Sequence, residues 1–430
     1  MFTLDDFGKQ ISQLKNAKKF GDALAYFKKY KTDFSDAQIT GDEYIVADMI
    51  TCLRKTQIDA GFKFIEKYGI HIGAEQKERV LNAYGWLLWE KLAKENKIKN
   101  SHDGYDYFSD EEDIEQAKHF GFEKNDLAIK IEKFIPLILR FNTKYSKDVA
   151  SMLFQATLKA EKTRNNPNWK FINDFCDMFD KNSLSRDCST IRVERTGQLK
   201  DMELASDFET WYSYKTKALM KLGKWQECFD LSKEALGAIE KFHYSNDIWM
   251  SRRMTMAKKN LGNSADTIRE LEKILRRKKE WFIQKELAEL HFEEENSDKA
   301  LEVATEAINA AGPLEFKVGL LYLLGKILKK QGEIELSFKH FSLSKLIRKE
   351  KEWSVPQNLL EVLRQFTEPE MPVSSIGGLK QELSKYKRIR VKPKNRKQGF
   401  TYSKLRSCWH IVMYNPRKGG QVGRKSIKKQ

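Results

Sequence analysis

Apolar residues along most of this chain recur at spacings of three and four, the period of an amphipathic helix. Sustained strand-like alternation is rare before residue 385. The pattern predicts an all-α fold for the bulk of the protein. Four segments repeat one another: "WYSYKTKALMKLGKWQECFDLSKEAL" from Trp211, "IWMSRRMTMAKKNLGNSADTIRELEKIL" from Ile248, "WFIQKELAELHFEEENSDKALEVATEAI" from Trp281 and "KVGLLYLLGKILKKQGEIELSFKHFSLSKL" from Lys317. Each reads as helix, turn, helix. The turns fall at Gly223, Gly262, Glu295 with Asn296, and Gly332, in steps of 39, 33 and 37 residues. A pair of antiparallel helices cannot bury its apolar faces alone, so neighbouring pairs must stack and share a core. Stacking needs small residues where helices cross. Ala288 and Gly325 are placed for this in first helices. Cys228, Ala300 and Ser337 are placed for it early in second helices, and Ala235, Ala307 and Ser344 one register later. Glycine at a turn suits the left-handed end of a helix.

The same reading divides the chain. Residues 1–205 form a more degenerate helical-repeat half, with "LKNAKKFGDALAYFKKY" and "LRKTQIDAGFKFIEKY" as second helices and "VLNAYGWLLWEKLAKE" as a first helix. The polar, acidic stretch 100–116 reads as a loop. Periodicity returns near Asp126, breaks at Asn165-Asn166-Pro167, and is weak over 182–206, which is expected to join two halves. Residues 206–366 hold the four hairpins. Residues 367–379, "TEPEMPVSSIGGL", read as a linker, and 380–430 as a basic tail or small module, with "LKQELSKYKR" readable as a short helix and two or three short strands after it.

Charge sharpens that division. The net charge is +17, yet residues 380–430 contain 17 Lys and Arg and one acid, Glu382. The first 379 residues hold 61 basic and 60 acidic side chains. A polyanion is therefore expected at the tail and not at the body. Lys387, Arg388, Arg390, Lys392, Lys394, Arg396 and Lys397 form a dense cluster, with Arg417, Lys418, Arg424 and Lys425 further on. Phe400, Tyr402 and Trp409 interleave aromatic rings that can stack on bases. These fourteen residues are the candidate nucleic-acid contacts, for RNA or DNA alike. A tail that docks on an acidic protein, or only solvates, is the competing reading.

Several motifs are excluded by spacing. "NPRKGGQVGRKS" resembles a phosphate-binding loop, but Arg424 displaces the required lysine, and too few residues follow Ser426 for the helix such a loop needs. The acidic residues of 100–116 lack the alternating ligands and glycine of a calcium loop. Five cysteines, an odd number with no Cys-x-x-Cys, argue against a disulfide framework. Cys408 and His410 have no further pair to complete a zinc site. "RRKKEW" (276–281) reads as cations at a helix end. No catalytic residue, cofactor or metal is expected, although an enzyme with a site built from 100–205 remains a third reading. The acidic N-terminus and short apolar runs predict a cytoplasmic protein without membrane contact.

The repeats resemble the tetratricopeptide repeat (TPR), most closely in the third segment with Ala288, Ala300, Ala307 and Pro313. Steps above 34 residues depart from that pattern. "NAYGWLLW", "EWFIQKELAEL", "KVGLLYLLGKIL" and "HFSLSKLIRKEKEWSVP" resemble the TPR proteins encoded beside TOTE-type bacterial conflict systems. That resemblance implies a TPR array followed by a cold-shock-like or S1-like OB module; "RIRVKPKNRKQGF" is similar to the opening strands of one, although the chain stops too soon for a full barrel. It also implies a groove on the first helices that holds a peptide or helix of a protein partner, with Tyr212, Lys215, Arg252, Gln284, His291 and Tyr322 as candidates. The expected function is a non-enzymatic scaffold whose tail contacts nucleic acid, with a purely protein-binding adaptor as the alternative.

Overall fold

The computed structural model describes residues 2–99, 126–164, 167–195, 198–262, 266–366, 375–386, 399–405 and 408–414. The fold is all-α, as the periodicity predicts. The N-terminal half contains α1 (Leu4–Asn16), α2 (Phe20–Tyr30), α3 (Asp36–Gly41), α4 (Glu43–Thr56), α5 (Ile58–Lys67), α6 (Glu78–Lys99), α7 (Asp126–Leu139), α8 (Lys144–Lys162) and α9 (Trp169–Asp177). Thr3, Ser35 and Thr143 start α1, α3 and α8 with reciprocal capping boxes. Aromatic rings fill this half: Phe7 stacks near Phe27 and Phe34, and Phe154 lies 4.6 Å from Phe179 between ring centroids. Gly85 lets α6 approach its neighbours, since a Cβ there would stand 2.7 Å from Val149 and 2.8 Å from Phe134. The acidic stretch 100–116 lies outside the described residues.

The four hairpins follow as α10 (Asp207–Lys221) with α11 (Trp225–Ala238), α12 (Asn246–Asn260) with α13 (Thr267–Arg277), α14 (Trp281–Glu293) with α15 (Ser297–Asn309), and α16 (Val318–Lys330) with α17 (Ile334–Glu350). Each turn contains a left-handed residue: Gly223, Gly262, Glu295 and Gly332, with φ of 70°, 89°, 64° and 82°. Three are glycine, which adopts this conformation without steric cost. The small residues sit where close crossing requires them. Ala288, Ala300, Ala307, Cys228, Ala235, Ser337 and Ser344 are all fully buried. A Cβ on Gly325 would stand 2.6 Å from the Phe341 ring. The serines satisfy their hydroxyls on the facing helix: Ser337 donates to the Gly325 carbonyl at 2.7 Å and Ser344 to that of Val318 at 3.0 Å. Buried Lys317 donates to the Ala307, Ile308 and Ala310 carbonyls at 3.3, 3.3 and 2.7 Å, closing the C-terminal end of α15.

Two departures from the sequence reading matter for function. First, 182–206 is not featureless. It folds back as an antiparallel hairpin, β1 (Thr190–Arg195) with β2 (Gln198–Glu203), in which Thr190 faces Glu203. Second, the helix expected at "LKQELSKYKR" begins earlier, inside the sequence linker 367–379. After α18 (Gln357–Arg364), α19 (Ile376–Tyr386) places Leu379 in a cluster with Val318, Leu321, Leu343 and Ile347, against which Ile376 and Leu383 also pack. The spacing of Ile376, Leu379 and Leu383 is the helical stripe that drives this docking. The last repeat is thus capped by α19. Beyond it, β3 (Gly399–Leu405) and β4 (Cys408–Tyr414) pair antiparallel, two of the two or three strands expected there. Among the described residues no helix is long and apolar enough to cross a membrane.

Candidate functional site: the first-helix stack and the hairpin junction

The six groove candidates lie on first helices, as expected, but five of them face inward. Tyr212 is 0% exposed and donates from its hydroxyl to Glu234 Oε1 at 2.8 Å. Buried Lys215 reaches Asp177 at 2.6 Å and the Asn173 carbonyl at 3.3 Å, tying α10 to α9. Arg252 makes a two-pronged contact with Glu286 on the next first helix, with Nε to Oε2 at 2.9 Å. Gln284 donates to Glu306 at 3.3 Å. His291 is buried with both ring nitrogens lacking a hydrogen-bond partner, and burial holds its pKa below the usual histidine value. Tyr322 alone of the six is half-exposed; its ring tilts against Phe341 at 5.4 Å.

The physical reason is crowding. A first helix here touches its own second helix, the preceding second helix and its neighbouring first helices. Almost its whole circumference is covered. Polar side chains on it are therefore used laterally: Arg253 donates to the Ser213 carbonyl and to Thr216, both at 3.1 Å, and Lys259 pairs with Glu293 at 2.9 Å. These contacts staple hairpin to hairpin. Of the large apolar residues left exposed in the repeats, Leu222 lies beside the first turn, Leu261 beside the second and Ile334 beside the fourth, while Tyr244 lies in the connection between α11 and α12.

A second constellation sits where the β1–β2 hairpin meets the first repeat. Ser206 caps α10 by accepting the Glu209 amide at 3.2 Å. Glu209 is 1% exposed, and its Oε1 accepts the His243 amide and the Asn246 side-chain amide, each at 2.7 Å. Its Oε2 lies 2.7 Å from His243 Nδ1. His243 precedes two left-handed residues, Tyr244 and Ser245, that bend the chain into α12. On the other side of the ring, His243 Nε2 stands 3.6 Å from Glu203 Oε1. Cys188 Sγ, a Glu203 oxygen and a His243 nitrogen all lie within 4.8 Å of one another. The order Cys188, His243, Glu209 is superficially that of nucleophile, base and orienting acid. Burial and the nearby Glu203 carboxylate instead push the Cys188 thiol above its usual pKa, the opposite of an activated nucleophile. Sequence reasoning missed this group because its three members are separated by up to 55 positions and share no motif.

Of the tail candidates, Phe400 and Tyr402 occupy alternate positions of β3, and Trp409 stands opposite Lys404 in the β3–β4 pairing. Lys387, Arg388, Arg390, Lys392, Lys394, Arg396, Lys397, Arg417, Lys418, Arg424 and Lys425 lie outside the described residues.

No protein-family model matches the chain, and none of the curated proteins does. Among solved structures it is similar to the human IFIT1 dimer with m7Gppp-AAAA, at 14% identity and a TM-score of 0.35, over 90% of this chain and 89% of that one. It is also similar to yeast Tom70, at 13% identity and a TM-score of 0.26, over 90% and 96%, and to Cut9 in the APC/C Cut9–Hcn1 hetero-tetramer, at 9% and 0.26, over 83% and 82%. By its own hairpins, turns and small-residue crossings, this chain is an all-α helical-repeat protein. Its solenoid is TPR-like.

Proposed function

We propose that the chain is a non-catalytic scaffold: the repeat body engages a protein partner and the C-terminal segment holds nucleic acid. One observation carries the reading. Past α19, residues 387–430 contain fifteen Lys and Arg and no acid, whereas the first 379 residues are nearly neutral. Cations arranged this way neutralise phosphates and release counterions on binding RNA or DNA, and Phe400, Tyr402 and Trp409 add stacking surfaces among them. For the protein partner, half-exposed Tyr322 and the turn-edge row Leu222, Leu261 and Ile334 supply the apolar surface that the buried first-helix residues do not. The likeness of the repeat segments to TPR proteins beside TOTE-type conflict systems supports a cytoplasmic role in bacterial defence.

The test compares the full chain with residues 1–386, which keep the α19 cap. Binding to short single- and double-stranded RNA and DNA is expected for the full chain and absent from the truncation. Equal binding by both would move the nucleic-acid surface to the body. No binding by either at low salt would leave a protein-binding adaptor. For the body, Leu222→Asp with Leu261→Asp should reduce co-purification of protein partners; unchanged partners would contradict the turn-edge surface. Loss of protection against phage on deleting the coding sequence would be the corresponding test of a defence role.

A further inference from the structure

We propose that Cys188, Glu203 and His243 form a binding site for a zinc-class divalent cation, with Glu209 orienting the histidine from behind. The backbone builds the site from two directions. Leu204 donates its amide to the Ser189 carbonyl at 2.7 Å, and Thr190 pairs with Glu203, so the base of the β1–β2 hairpin holds residues 188 and 203 side by side. The left-handed pair Tyr244 and Ser245 turns His243 back towards that base.

The independent observation is His243 Nε2. The residue is 8% exposed, yet this nitrogen has no hydrogen-bond partner and faces the Glu203 carboxylate and the Cys188 sulfur. Nδ1 is engaged by Glu209 at 2.7 Å. When Nδ1 donates to a carboxylate, the lone pair of a neutral imidazole is left on Nε2. That carboxylate–histidine arrangement is the one that fixes metal-ligating histidines. Thiolate, imidazole and a single carboxylate form a tetrahedral, borderline-soft donor set, which suits Zn²⁺ and not the all-oxygen cages of Ca²⁺ or Mg²⁺.

Charge favours the same ligand. A Cys188 thiolate beside the Glu203 carboxylate would repel it; a divalent cation between them makes the group neutral. Spacing is also suitable. Tetrahedral bonds of roughly 2.0–2.3 Å place ligand atoms about 3.3–3.6 Å apart. His243 Nε2 and Glu203 Oε1 already stand at 3.6 Å, and all three ligand atoms fall within 4.8 Å. Cys188 is partly exposed on the segment entering β1, so it can close the remaining gap. Lys241 pairs with the other Glu203 oxygen, leaving Oε1 directed at the histidine. The fourth position is available to water. Such a centre would clamp the connecting hairpin to the turn between α11 and α12.

The experiment titrates chelator-treated full-length protein with Co²⁺, followed by absorption. One equivalent should produce a near-ultraviolet thiolate-to-cobalt band with visible tetrahedral bands, and Zn²⁺ should bleach both. Cys188→Ala and Cys188→Ser should abolish the near-ultraviolet band, while Cys408→Ala leaves it intact. Glu209→Gln should weaken Co²⁺ affinity roughly 10–100-fold. Circular dichroism establishes that each variant is folded. A near-ultraviolet band that survives in the folded Cys188 variants overturns the site. So does the absence of any Co²⁺ signal in the wild-type chain.

Discussion

The two halves of the solenoid solve the same packing problem with different chemistry. Among the described residues before 206, buried charged side chains are few, namely Asp48 and Glu161, and the core is built from Ile, Leu and Val together with aromatic rings such as Phe7, Phe134, Phe154 and Phe175. After 206 the crossings rely on Ala, Ser, Cys and Gly, and charged groups are buried throughout: Glu209, Lys215, Arg252, Arg253, Glu286, Lys317 and Arg348 among them. Large apolar side chains, aliphatic and aromatic, fill irregular spaces between unequal helices. Small residues allow regular close approach, and the polar side chains around them must then find partners inside the stack. Regularity in the second half comes with a buried polar network that fixes how one hairpin sits on the next.

Substitutions should separate the two solutions, beginning with the largest effects. Phe154→Ala removes a fully buried ring packed on Phe175 and Phe179 and should cost about 3–5 kcal/mol by denaturant unfolding. Arg252→Met leaves the Glu286 carboxylate buried without its main partner and should cost on the order of 3–5 kcal/mol. The double variant Arg252→Met with Glu286→Leu should recover most of that loss, because two apolar side chains need no pairing. If the double variant is no better than the single, the pair does more than neutralise itself. Gly325→Ala forces a methyl onto the Phe341 ring and should cost about 1–3 kcal/mol.

A smaller effect should appear with pH. His291 and His340 both have folded-state pKa values held below 6.5 by burial, and His340 Nδ1 also lies 2.8 Å from the Leu336 carbonyl. The unfolded chain therefore binds more protons than the folded chain as pH falls below 6.5, so stability must decrease on acidification there. Their contribution is complete above 6.5 and is lost progressively towards the depressed folded values. Melting temperatures measured from pH 7.5 to 5.5 should fall, and His340→Gln should flatten the slope. An unchanged slope would place the pH sensitivity in other groups.

Much of this architecture was legible in the sequence because it depends on local rules. Gly223, Gly262 and Gly332 mark turns that need a positive φ, and Ala288, Ala300, Ala307 and Gly325 mark crossings that exclude larger side chains. The turn at Glu295 was found only because its neighbours set the register. The β1–β2 hairpin was missed because burial does not make it: Ile191 and Leu199 are exposed, and the strands are held by their ladder with an Arg192–Asp201 pair. Its signal was Thr196-Gly197 after the alternating run of 190–195. The burial of five groove candidates was hidden for a different reason. A polar residue on a first helix looks the same in sequence whether it meets solvent, as a groove requires, or a partner such as Glu286 thirty-four residues away. The Cys188, Glu203 and His243 group has the same character, since only the folded chain brings them together.

The most direct test of the central claim, a near-neutral scaffold carrying an electrostatic nucleic-acid arm, is the salt dependence of binding. Affinity of the full chain for a short RNA or DNA duplex would be measured across a series of salt concentrations. With five or more of the fifteen cations of 387–430 on phosphates, the slope of log K against log salt should be about −4 or steeper for duplex DNA. It should be lost with residues 387–430. A shallow slope, or a steep one retained by residues 1–386, would contradict the account.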